Sequence, residues 1–96
     1  MTKPRTKPWD PAAHLNSEKE IAAYLEAAIE DGDPAVVTAA LRDIARAKGM
    51  THVARKAGLG RESLYKALAP GGNPEFATVY RVVKALGLKL RAVPSK

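Results

Sequence analysis

Apolar residues recur at three- and four-residue spacing through five successive stretches of this chain, and each stretch is bounded by a capping residue or a glycine. The first opens at Ser17, where Glu20 three residues on completes a capping-box signature, and it runs through Ile21, Ala22, Leu25, Ala28 and Ile29 to Gly32. Asp33 and Pro34 then supply an N-cap and first helical residue for Val36, Val37, Ala40, Leu41, Ile44 and Ala45, with an end near Lys48 and a break at Gly49. Asn73 and Pro74 repeat that device ahead of Phe76, Val79, Val82, Val83 and Leu86, and Gly87 closes the stretch. From Leu88 to Val93 the period changes to two, which predicts either a short strand paired with a second copy of the chain or a coil tail.

Between these lies Met50 to Leu68, around which the rest is organised. Val53, Ala54 and Ala57 share one face of a first short helix; Gly58 sits where the chain leaves it with positive φ, and Leu59 plugs the turn. After Gly60 as N-cap, Leu64, Ala67 and Leu68 face inward while Arg61, Glu62, Ser63, Tyr65 and Lys66 face outward. This spacing fits a helix-turn-helix and equally an ordinary helical hairpin with a solvated polar face. Charge separates the two readings. Residues 34–96 hold twelve Lys or Arg against three Asp or Glu, a net +9, and residues 1–33 hold four against seven, a net −3. A basic helix-turn-helix beside an acidic neighbour calls for a phosphate backbone as ligand.

Duplex DNA assigns each outward residue a task. Arg61, Glu62, Ser63 and Tyr65 occupy the first turns of the second helix, where side chains reach major-groove edges; Arg61 suits guanine and Glu62 suits cytosine, unless Glu62 pairs with Lys66. Lys66, Thr51, His52, Arg55 and Lys56 are placed for phosphate.

Ninety-six residues allow one domain with a modest core, so burial shared in a homodimer would help. We divide the chain into a basic arm and loop, 1–16, and one helix-turn-helix domain, 17–96. Trp9 and Leu15 of the loop are expected to fold back on the domain, and Trp9 has two readings, a packing anchor or an exposed contact for a protein partner. The absence of cysteine fits a reducing cytosol, and no membrane helix or apolar leader is predicted. His14 and His52 have no second ligand at helical spacing, and Gly71 and Gly72 lack the Lys and Ser or Thr of a phosphate loop, so no metal, cofactor or catalytic residue is predicted.

Three stretches carry a family resemblance: AAYLEAAIEDGDPAVVTAALRDIARAKGM (Ala22 to Met50), GLGRESLYKAL (Gly58 to Leu68) and GNPEFATVYRVVKALGLKL (Gly72 to Leu90). They resemble, over nearly the full chain, the bacterial probable addiction-module antidote proteins, HigA-like antitoxins with a Cro/repressor-type helix-turn-helix. The resemblance implies an all-α, five-helix, Cro/lambda-repressor-like domain that dimerises on a palindromic operator. It also implies that the protein neutralises a small toxin of the RelE/ParE or HigB-like class and represses its own operon. Met50 departs from the Gln common in related repressors, which removes one expected contact. Such toxins are typically basic, so the acidic helix is the matching surface, and Glu18, Glu26 and Glu30 join Trp9 and Leu15 as expected toxin contacts. The rival readings are a stand-alone repressor of prophage type and, further off, a small enzyme or nucleotide-binding module.

Overall fold

The computed structural model describes residues 15–95, so Trp9, His14 and the basic arm lie outside the described residues. Five helices follow in order: α1, Glu18–Asp31; α2, Pro34–Lys48; α3, Met50–Ala57; α4, Arg61–Leu68; and α5, Phe76–Ala85. The first two begin as their sequence dictates. Glu20 N–H donates to Ser17 Oγ (3.1 Å) while Glu20 Oε1 accepts from the Ser17 amide (3.1 Å), and Asp33 Oδ1 accepts from Ala35 N–H (2.9 Å) ahead of Pro34.

The second helix is the centre of the bundle and packs against α1, α3 and α4, while α5 lies on α3. Leu41 and Ile44 of α2, Val53 of α3, Leu64 and Leu68 of α4 and Val82 and Val83 of α5 are fully buried together. Polar bonds fix the orientation of α2 within this apolar contact. Tyr24 Oη donates to Asp43 Oδ2 (2.7 Å), Arg46 pairs with Asp43 (3.4 Å), and Arg42 Nη1 donates to the Leu68 carbonyl (2.9 Å). Burial first, and then the bond to Asp43 and its charge, push the Tyr24 hydroxyl up to about 12.

Several expectations are corrected. No strand forms among the described residues: 88–93 carries no regular secondary structure and so takes the coil alternative, since alternation alone supplies no second strand. The last helix starts at Phe76, not at Pro74, with Glu75 in the cap position and no side-chain cap bond. Phe76 itself is 71% exposed, because it stacks one turn along on Tyr80 in a row that points away from α3. Ala22, Ile29 and, on α2, Val36 are exposed too; α1 packs chiefly on α2, and the buried part of its stripe narrows to Ile21, Leu25 and Ala28.

Candidate nucleic-acid interface

The turn between α3 and α4 is made by the backbone. Gly58 adopts φ +73°, which lets the Leu59 amide reach back to the Ala54 carbonyl (2.9 Å) and the Gly58 amide to the Arg55 carbonyl (3.2 Å). Leu59 then packs against the core, and Gly60 starts α4 in an extended conformation. Two helices of eight residues are thereby held side by side with their apolar faces buried.

What remains outside is polar. Thr51, His52, Arg55 and Lys56 on α3, and Arg61, Glu62, Ser63, Tyr65 and Lys66 on α4, are all exposed, so the structure brings the nine candidate residues onto the surface of one adjoining pair. Arg61 is partly preorganised: its guanidinium lies 5.4 Å from the centroid of the Tyr65 ring, one turn along. Glu62 and Lys66 make no ion pair with each other, so both keep their charges available. Met50 is buried at 7% exposure, and a side chain committed to the core has no contact to offer at the surface.

Residues 5–94 match the family described as "probable addiction module antidote protein". The chain belongs to this family. A relative from Haemophilus influenzae, an uncharacterised protein, is 48% identical over 90 residues, covering 94% of this chain and 93% of the relative. No solved structure gives a significant match. An antidote of an addiction module has a toxin as its partner.

The acidic face of this antidote protein lies on α1. Glu18, Glu26 and Glu30 are exposed, although Glu18 also reaches Lys48 (3.7 Å). Leu15 is 9% exposed and belongs to the core cluster, so it folds back on the domain. A groove of about 310 Å³ runs between α1 and the extended segment, with Glu26, Ile29 and Glu30 on one wall and Leu90, Arg91 and Val93 on the other.

Sequence reasoning missed how α4 is held at its far end. The Arg42 guanidinium satisfies the Leu68 carbonyl, and the chain at Gly72 passes so close that a Cβ there would stand 2.6 Å from the Ala67 carbonyl oxygen and 2.8 Å from that of Lys66. The Gly71-Gly72 pair was the available signal, but it reads as a loop until the neighbouring helix end is known. No helix among the described residues is long and apolar enough to cross a membrane.

Proposed function

We propose that this protein is a non-enzymatic, DNA-binding antitoxin of a two-gene addiction module, acting as a homodimer in the cytoplasm on double-stranded operator DNA of its own promoter. The observation that carries the DNA half of the reading is the α3–α4 pair, which works as a helix-turn-helix. Its nine exposed polar residues include four cations, Arg55, Lys56, Arg61 and Lys66, against the single acid Glu62. In this reading α4 enters the major groove. Arg61, steadied by Tyr65, bonds a guanine edge, Glu62 and Ser63 face neighbouring bases, and Lys66 with the α3 residues holds phosphates.

Family membership supports the antitoxin half. The toxin is a small basic protein of the RelE/ParE or HigB-like class, and the α1 surface of Glu26 and Glu30 with exposed Ile29 between them is its docking face. Binding there leaves α4 free, so one molecule serves both partners.

Co-expression with the adjacent small gene tests the reading, followed by a shift assay on promoter DNA. The expected result is a stable complex and a sequence-specific shift. A specific shift by a protein that forms no complex would leave a stand-alone repressor, and a complex without any shift would remove the DNA role.

A further inference from the structure

The groove of about 310 Å³ between α1 and residues 88–93 has walls of opposite charge. Glu26 and Glu30, one turn apart, line the α1 side, while Lys89 and Arg91 line the other. All four are exposed and none forms an ion pair among the described residues, so each wall keeps its charge uncompensated. Like charges at i, i+4 on α1 slightly oppose the helix, and the isolated chain gains nothing from them. Between the walls Ile29, Leu90 and Val93 are 47%, 39% and 69% exposed, an apolar strip with a charged rim, which is the anatomy of a protein interface. Residues 89–93 make no backbone hydrogen bond among the described residues, so that wall also offers main-chain donors and acceptors to a guest.

We infer that this groove grips a segment of the toxin that carries both signs of charge, with a cation toward Glu26 and Glu30, an acid toward Lys89 and Arg91, and an apolar side chain between them on Ile29 and Leu90. The inference rests on the antitoxin reading above and adds the second wall to it. Because the walls differ in sign, the segment fits in one orientation; turned about, each of its charges meets its own kind. The groove therefore selects its partner by the order of charges along the contact and not by net charge alone.

Charge and shape choose the occupant. A nucleic acid strand or an anionic lipid surface is repelled by Glu26 and Glu30, and a uniformly basic peptide by Lys89 and Arg91. A second copy brings the same concave surface across a two-fold axis, and two hollows facing one another leave the apolar strip unfilled. The chain's own residues 1–14 join the domain at the other end of α1, where Leu15 is buried and the Asn16 amide donates to Glu20 Oε1 (3.0 Å). Glu30 lies about 15 Å further along the helix, at about 1.5 Å per residue.

The test is calorimetric titration of the full chain, without DNA, with the purified product of the adjacent gene, for the wild type, Lys89→Glu/Arg91→Glu, Ile29→Ala and Leu90→Ala. The decisive variant is Lys89→Glu/Arg91→Glu. A toxin drawn only by net acidity binds it more tightly, whereas a two-walled groove predicts affinity lower by about tenfold or more. Ile29→Ala and Leu90→Ala should each weaken binding by about tenfold, the scale of a contact within an interface core. Helix content and thermal midpoint of the free protein should be unchanged, since these side chains lie outside the core. A Lys89→Glu/Arg91→Glu protein that binds as tightly as the wild type, or more tightly, would overturn the inference and leave the acidic α1 face standing. A wild type that does not bind the product at all would overturn the antitoxin reading and the inference with it. The free protein tests the other occupants. A shift in the emission of Trp9, the only tryptophan, on Ile29→Ala or Leu90→Ala would put residues 1–14 in the groove, and a change in sedimentation would put a second copy there; either result overturns the inference.

Discussion

In the proposed DNA-binding role, Arg61 is the residue on which base recognition turns. It stands at the start of α4, exposed, with its guanidinium 5.4 Å from the centroid of the Tyr65 ring. Arg61→Ala should cost about 1–3 kcal/mol of operator binding and relax preference at one base pair, whereas Lys66→Ala should weaken all sequences alike; competition shifts with single-site operator variants separate the two effects. Two glycines near the same helix act for different physical reasons. A Cβ at Gly58 meets nothing within 4 Å, so Gly58→Ala is opposed by its φ of +73° alone, about 1 kcal/mol. At Gly72 the obstacles are backbone carbonyls that cannot swing aside, so Gly72→Ala should destabilise more, by roughly 2–3 kcal/mol, in chemical denaturation. Tyr24 brings a pH signature. Its hydroxyl titrates near 12 in the fold against 10.0 ordinarily, so the folded state favours the protonated form. That contribution is fully present below pH 10.0 and lost as pH rises toward 12. Wild-type stability should therefore fall as pH rises above 10 while that of Tyr24→Phe, which lacks the ionisable hydroxyl and its bond to Asp43, should not show this loss in alkaline melts.

Among the elements, α1 divides its faces most clearly. Its inner residues Ile21, Leu25 and Ala28 meet α2, and its outer Glu26 and Glu30 face solvent beside the groove to the extended segment. Replacing both by Lys should weaken toxin binding by about tenfold or more at low salt and leave the thermal midpoint within a few degrees. Unchanged affinity and salt dependence, measured by calorimetry, would mean that the acidic face is only solvated. The helices themselves were legible because their signals are local: Ser17 with Glu20, Asp33 with Pro34, and Gly58 after Ala54 each fix an end within one turn. Where packing decides, the pattern misled. Phe76 falls three residues before Val79 and so shares its stripe in projection, yet it lies outside the contact with α3 and turns to Tyr80 instead. Leu88 to Val93 alternates as a strand does, but a strand exists only with a neighbour. The nine outward residues of α3 and α4 were readable from helical phase, whereas the Arg42 bond to the end of α4 joins residues 26 apart in sequence and leaves no periodic trace.

At the scale of the molecule, charge divides between the two parts of the chain. The net −3 of residues 1–33 includes the acidic helix, and the net +9 of residues 34–96 includes the α3–α4 pair and α5. Arg55, Lys56 and Lys66 on that pair, doubled in a homodimer, amount to six potential phosphate contacts, enough for operator affinity to fall on the order of 10³-fold or more between 50 and 200 mM salt. The toxin complex, on the proposed α1 face, should lose far less over the same range. The most direct measurement of the central claim is therefore a salt-dependent shift of promoter DNA by the protein purified with and without the product of the adjacent gene, using Arg61→Ala as the internal control. The account predicts a stable complex and a specific, steeply salt-dependent shift that Arg61→Ala loses while the complex survives. A complex that never shifts its promoter at any salt, or a shift indifferent to Arg61→Ala, would contradict it.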